Sequence, residues 1–460
     1  MENQSLNVKV GLISLGCPKN SIDSEIMLGL LEKAGFEITS QQEDAQIIII
    51  NTCSFIEPAK IESIDTILEI AELKKQNTAL RSIIVTGCLA QRYQKKLKKE
   101  IPEIDFLLGL NHIPDIVKFC KKSISKSKNF KTDNSGINPS SWTLSRKTSF
   151  YKYNMPRKLI TPESTAYVKI SDGCNNRCSY CTIPSIRGPF RSRGIASIIN
   201  EVTLLAEKGV KEVNLIGQDT TNYGKDLKGS FNFKTLLKKL TKINGIKWLR
   251  VLYTYPSKID SELIELIRSE EKICNYLDIP IQHIDDEILK KMERRYSAAY
   301  IYKLIENIRK VAPHTSLRTS VITGFPGETD KHFERLCNFI KEARFNHLGA
   351  FSYSKEEGTK AFALKGQIPE KIKIERAQEI MKIQKEISFK KNKELIRTRQ
   401  KVLVEGLSKE TDLLLEGRTE GQAPDVDGVT YINKGNPKIG EIFNVLITNA
   451  LGYDLVGKII

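Results

Sequence analysis

Apolar runs alternate with segments of helical period twice along this chain, over residues 8–118 and again over 165–354, and several of the apolar runs are followed within a few residues by a cysteine. In the first round, residues 8–15, 36–39, 45–51 and 82–86 read as strands, and 24–33, 57–73 and 90–98 as helices. The run at 45–51 is continuously apolar, the pattern of a strand covered on both faces. Alternation of this kind predicts an α/β fold with a doubly wound parallel sheet. In the second round the strands fall at 166–170, 212–216, 248–253, 276–280, 316–322 and 348–353, with helices at 195–208, 233–241, 261–268, 298–311 and 332–343. Six such units predict an open (β/α)6 partial TIM barrel, whose chemistry belongs at the carboxyl ends of its strands.

Six of the nine cysteines obey that rule. Cys17, Cys53 and Cys88 each follow a strand of the first round, and parallel strands gather their carboxyl ends at one edge. Gly16 and Gly87 precede two of them, which allows close backbone approach to a bulky group. Three separate buried cysteines are the plain alternative. Cys174, Cys178 and Cys181 follow the first strand of the second round, in Gly173-Cys174-Asn175-Asn176-Arg177-Cys178-Ser179-Tyr180-Cys181. Three cysteines in eight residues match neither strand nor helix period, so they are not core filler. Their odd number speaks against a disulfide. A four-iron cluster takes a thiolate on each iron, and three ligands leave one iron open, whereas a structural zinc site is closed by four. A zinc knuckle would need a distant fourth ligand. Cys120, Cys274 and Cys337 stand outside both triads and read as core or surface residues.

The N-terminal residues lack a basic stretch followed by an apolar one, and Ile47-Ile48-Ile49-Ile50 is too short to cross a bilayer. The expected compartment is the cytoplasm, where thiols stay reduced and favour metal ligation. A net charge of +17 points to a polyanionic neighbour such as RNA or the ribosome, although a Lys- and Ile-rich proteome gives the same total. Residues 121–159 read as a basic linker rich in Lys and Ser. Beyond a long charged helix at 370–397, short strands at 401–405, 412–416, 428–432, 441–448 and 454–458 predict a small OB-like β-barrel.

The Cys-x3-Cys-x2-Cys spacing with Tyr180 before the last cysteine resembles the signature of the radical S-adenosylmethionine (SAM) enzymes. Ser14-Leu15-Gly16-Cys17-Pro18-Lys19-Asn20, Asn51-Thr52-Cys53 and Thr86-Gly87-Cys88 are similar to the three cysteine motifs of the methylthiotransferases within that class. The resemblance covers essentially the whole chain apart from the linker. It implies two [4Fe-4S] clusters, one on each cysteine triad, which face one cavity between domains, and it implies SAM as cosubstrate. It also implies SAM-side roles for Tyr180, for Gly217 and Gln218 after the second strand, for Gln282 after the fourth, and for Arg318 and Gly324 on the fifth. By the same resemblance the domains are a methylthiotransferase N-terminal domain (6–120), the linker (121–159), a radical SAM core (160–395) and a TRAM domain (396–460).

Pro18-Lys19 after Cys17, the segment Glu416-Gly417-Arg418-Thr419-Glu420-Gly421-Gln422-Ala423-Pro424-Asp425-Val426-Asp427-Gly428 and the segment Phe351-Ser352-Tyr353-Ser354-Lys355-Glu356-Glu357-Gly358-Thr359 resemble the branch that modifies an aspartate β-carbon of small-subunit ribosomal protein S-twelve. Lys355 is a mild departure from that branch. Its relatives modify tRNA adenosines. Residues 402–460 carry five basic and nine acidic side chains, net −4, which leaves +21 for the rest. A barrel that grips RNA should be basic; a mildly acidic one suits a basic protein loop. The basic remainder could face rRNA. An electron donor and a sulfur donor are further partners implied by the family. A two-cluster electron carrier or ribosome-binding protein would explain the cysteines and the charge, but not the SAM-like segments.

Overall fold

The computed structural model describes residues 7–77, 79–126, 154–229 and 231–460. The chain forms two compact units. One comprises residues 1–160 with 173–175 and 182–190; the other comprises 161–172, 176–181 and 191–460.

The first unit is built on β1 (Lys9–Ser14), β2 (Glu37–Thr39), β3 (Ile47–Thr52), β4 (Ser82–Gly87) and β5 (Phe106–Leu107), all paired in parallel in the order β2-β1-β3-β4-β5. Its helices are α1 (Pro18–Lys33), α2 (Glu57–Gln76), α3 (Cys88–Glu100), α4 (Ile116–Lys126) and α5 (Ile183–Arg187). Ile48, Ile50, Ile83 and Val85 pack with Ile67 and Ile70 of α2 and with Leu89 and Leu97 of α3. Strand residues alternate faces, so Ile47, Ile49 and Ile84 look the other way and are equally buried. On this second side α1 lies against β1, β2 and α4. The predicted doubly wound sheet is therefore present.

Two boundaries differ from the sequence reading. α1 starts six residues before the expected Ser24. Pro18 suits a first helical position, and the first turns bury polar Asn20, Asp23, Ser24 and Glu25 instead of apolar side chains, so no apolar period marks the start. α4 runs into the start of the expected linker, residues 121–126 being helical; from 127 to 153 that linker lies outside the described residues.

The second unit holds β6 (Thr165–Lys169), the β7 (Ser171–Asp172) and β8 (Arg191–Ser192) hairpin, β9 (Glu212–Ile216), β10 (Trp248–Val251), β11 (Tyr276–Asp278), β12 (Ser316–Thr323) and β13 (His347–Ser352). Its helices are α6 (Ile195–Glu207), α7 (Phe233–Leu240), α8 (Ser261–Ser269), α9 (Asp286–Lys291), α10 (Ala298–Val311), α11 (Asp330–Ala343) and α12 (Glu370–Glu394). β6-β9-β10 and β11-β12-β13 are parallel sheets. They are joined where the Cys274 N–H donates to the Leu249 carbonyl at 3.0 Å. Six parallel strands thus follow one another in chain order, as a (β/α)6 partial barrel requires.

α12 packs on β13 and leads to β14 (Arg399–Leu407), β15 (Leu415–Thr419), β16 (Thr430–Lys434), β17 (Ile442–Ala450) and β18 (Leu455–Ile459). These close into a barrel in the order β14-β15-β16-β18-β17, with β16 and β18 parallel. The second strand lies three residues later than expected at 412. Gly417 seats close to the β14 backbone there, and Arg418 is drawn inward by carboxylates, so neither residue reads as strand by propensity.

Ion pairs fasten this small barrel beneath the larger one. Arg418 is buried among Glu212 of β9, Glu405 of β14 and the Gln422 carbonyl, and Arg250 of β10 donates to Glu212 at 2.8 Å. Tyr167 and Tyr276 each donate to an aspartate of the β15–β16 loop, Asp425 and Asp427, at 2.7 Å. Burial alone would raise the Glu212 carboxyl, but Arg418 and then Arg250 outweigh it and hold the group down to about 2. Removing one member of a buried ion cluster typically costs about 3–5 kcal/mol. Arg418→Met is expected to lose about that much in chemical denaturation at neutral pH. Because the Glu212 pKa is depressed, its contribution is full above the ordinary 4.5 and fades toward 2. The gap between wild type and Arg418→Met should narrow as pH falls through that window.

Candidate functional site

The carboxyl ends of β1, β3 and β4 deliver Cys17, Cys53 and Cys88 to one edge of the first unit's sheet. Cys17 caps the N-terminus of α1 and Cys88 opens α3, so two thiols sit where helix N-termini favour negative charge. Gly16 has φ +90°, and a Cβ on it would lie 2.6 Å from the Cys53 Cβ; only glycine lets these loops approach so closely. Asn20 ties the edge together. Its amide donates to the Leu15 and Thr52 carbonyls at 3.0 and 2.9 Å, and its Oδ1 is 3.8 Å from the Cys88 Sγ. Ser63 of α2 brackets Cys53, accepting from its N–H and donating to its carbonyl, both at 3.0 Å.

Burial pushes the Cys53 thiol up and the Cys88 thiol up to about 12, each opposed by the charge of Arg187. Arg187, at the end of α5, lies 2.9 Å from Asn20 Oδ1, 3.5 Å from Asp23 and 3.8 Å from the Cys88 Sγ. Asn51 Oδ1, Ser54 Oγ and Thr86 Oγ1 are buried beside these cysteines with no protein partner. Orphaned polar atoms are costly unless something further satisfies them. Among the described residues no group of three or more His, Cys, Asp or Glu side chains stands ready-made to hold a single metal ion. The donor set, three thiols with polar atoms around them, instead fits a larger anionic iron–sulfur cluster.

Of the second cysteine motif, Cys174 is grouped with the first unit and Cys178 and Cys181 with the second. In the first, the Cys174 N–H donates to the Gly188 carbonyl at 3.2 Å. In the second, the Cys181 N–H donates to the Cys178 carbonyl at 3.1 Å, and Ser179 is pinned by the Met292 and Lys291 carbonyls. Arg294 donates to the Cys178 Sγ at 3.5 Å and is sandwiched by the rings of Tyr255 and Tyr296. Tyr180 turns inward and meets Phe325 edge-on.

The other expected site residues divide. Gly217 and Gln218 follow β9, and Gln218 donates to Asp172 at 3.0 Å while its Oε1 and the nearby Ser171 Oγ are buried without a partner. A Cβ on Gly217 would lie 2.3 Å from that Ser171 Oγ. Gln282 has φ +70° and bonds through its backbone to β12, past the end of β11. Gly324 directly follows β12, and its N–H donates to both Glu328 oxygens at 3.0 Å. Arg318 is not brought to this edge. It lies two residues into β12, 3.2 Å from Asp278 and 3.3 Å from Asp427, because these buried carboxylates claim its charge. His283 is fully buried, accepting from the Asp285 N–H through Nδ1, while its Nε2 lies 3.5 Å from Glu328 without a hydrogen bond.

Arg187 and Arg193, which follow Cys181, are both buried. Arg187 is buried against Asp23, and Arg193 pairs with Glu201 and the Lys169 carbonyl. Cys120, Cys274 and Cys337 are buried and isolated from both triads. Sequence reasoning passed over the roles of Asn20, Asp23, Ser63 and Arg294. Only Asn20 and Asp23, polar residues in the opening turns of a helix just after a cysteine, carried a usable signal.

Three family comparisons define the class. Residues 168–340 match the Radical SAM superfamily, 397–460 the TRAM domain, and 9–109 the family described as "Uncharacterized protein family UPF0004". The radical SAM methyltransferase TsrM from Kitasatospora setae, solved with cobalamin and a [4Fe-4S] cluster, shares the fold at TM-score 0.53 and 14% identity, over 75% of this chain and 74% of its own. Ribosomal protein uS12 methylthiotransferase RimO of Geotalea uraniireducens is 47% identical over 99% of both chains. That of Acetivibrio thermocellus is 49% identical over 98% of both. The chain belongs to the RimO family of uS12 methylthiotransferases.

Gly16→Ala is expected to force the Cys17 and Cys53 loops apart and to lower bound iron by about half after anaerobic reconstitution, one of two four-iron centres being lost. Gly11→Ala, whose added Cβ meets only ordinary contacts from 3.4 Å outward, should keep the full iron content.

Proposed function

We propose that this protein is a SAM-dependent enzyme that places a methylthio group on ribosomal protein uS12, at the β-carbon of an aspartate. The observation that carries this reading is the gathering of Cys17, Cys53 and Cys88 at one strand edge, in a chain that also holds a second cysteine triad. The full-length likeness to uS12 methylthiotransferases supports the choice of substrate. The division of labour follows the modules at 6–120, 160–395 and 396–460, with 121–159 joining the first two.

Cys17, Cys53 and Cys88 would hold one [4Fe-4S] cluster, and Cys174, Cys178 and Cys181 the other. When bound, these groups and SAM supply the one-electron chemistry and the methylthio unit that no side chain can supply. This chain's own residues do the rest. Asn20 and Ser63 fix the first triad, and the N-termini of α1 and α3 offset its negative charge. Arg294 offsets charge at Cys178. Tyr180, Gly217, Gln218, Gln282 and Gly324 line the strand ends where SAM would lie, and the buried Gln218 Oε1 and Ser171 Oγ are suited to a polar ligand. Arg318, held by Asp278 and Asp427, supports β12 from within.

The small barrel, residues 399–460, carries seven basic and nine acidic side chains, and its net −2 suits a basic ribosomal protein better than RNA. An electron donor, a sulfur donor and contact with rRNA complete the proposed partners. Among the described residues no helix is long and apolar enough to cross a membrane.

The test incubates reconstituted protein, SAM and a reductant with purified uS12 or with tRNA, and weighs both. A methylthio mass gain on the uS12 aspartate is expected; a gain on tRNA alone would contradict the assignment. Cys178→Ala should abolish 5′-deoxyadenosine formation. Cys53→Ala should keep that product but lose methylthio transfer by at least about a hundredfold, a loss on the scale that a deleted essential group produces.

A further inference from the structure

Residues 182–190, after the second cysteine triad, belong to the first unit, and the last helical residue of that segment, Arg187, is almost fully buried there. Burying a guanidinium is costly unless charge and hydrogen bonds compensate it. Asp23 and Asn20 provide part of that compensation, at 3.5 and 2.9 Å. The same Nη2 nitrogen is also directed at sulfur, 3.8 Å from the Cys88 Sγ. Asp23 and Asn20 reach it from the opening turns of α1, immediately after Cys17. One cation is therefore fixed, away from solvent, between the Cys88 ligand and the opening turns of the helix that Cys17 caps.

Iron–sulfur potentials are set by net charge, solvent exposure and hydrogen bonds to sulfur. A fixed cation donating to a ligand sulfur stabilises the more negative, reduced cluster. We infer that Arg187 is a positioning residue that raises the reduction potential of the cluster on Cys17, Cys53 and Cys88, by placing its guanidinium against Cys88. Arg294 stands in the same relation to Cys178 in the second unit, and provides a control that should leave the first cluster unchanged. The inference rests on the proposed reading of the first triad as a cluster site.

The experiment uses the full chain with Cys174, Cys178 and Cys181 replaced by Ala, so that only the first triad can bind iron. After anaerobic reconstitution the cluster is reduced by one electron from dithionite, and its midpoint potential is followed by electron paramagnetic resonance. Arg187→Gln should shift the midpoint to more negative values, Arg187→Lys should shift it less, and Arg294→Gln should not shift it. An unchanged midpoint in Arg187→Gln overturns the proposal. Should Arg187→Gln bind no iron, recovery of iron in Arg187→Lys supports the role of charge, and loss in both overturns it. A background that binds no iron with Arg187 intact contradicts the cluster reading itself, a result distinct from either.

Discussion

Parallel pairing of β1, β3 and β4 forces three cysteines about 35 residues apart in sequence to one sheet edge, and the remainder of the first unit adapts to that meeting. Cys53 and Cys88 are buried there, and that burial raises both thiols above their ordinary value and so disfavours the thiolate. A metal centre reverses this balance because a coordinating thiol is deprotonated outright. Two helix N-termini and one arginine point the same way. The fold thus assembles positive potential where negative sulfur would accumulate.

The second unit repeats the logic with different parts. Its strand ends carry Gly217, Gln218, Gln282 and Gly324, while its opposite end is filled by the β15–β16 loop and the Arg418 ion cluster. Chemistry and anchoring are therefore kept at opposite ends of the strands, as in barrel enzymes generally. Arg318 shows how the separation works. Sitting near the start of β12, it serves the anchoring end through Asp278 and Asp427.

Much of this was legible in the sequence because hydrophobic period and strand-end cysteines are local signals. The strands of both sheets lie within a few residues of their expected positions, and the edge that gathers Cys17, Cys53 and Cys88 follows from parallel topology alone. What escaped was polar and long-range. The first turns of α1 bury Asn20, Asp23, Ser24 and Glu25, so an apolar template reads them as loop. Arg187 and Arg294 reach their cysteines from 99 and 116 residues away, a pairing that no spacing rule can reveal. Arg418 likewise reads as a surface cation until Glu212, 206 residues distant, is placed beside it.

The central claim is that two incompletely ligated iron–sulfur centres are bound by one chain. Mössbauer spectroscopy with iron analysis on anaerobically purified full-length protein tests it most directly. About eight irons per chain are expected, in two four-iron clusters, each with one iron lacking a cysteine ligand. A single cluster, or zinc in either triad, would contradict it.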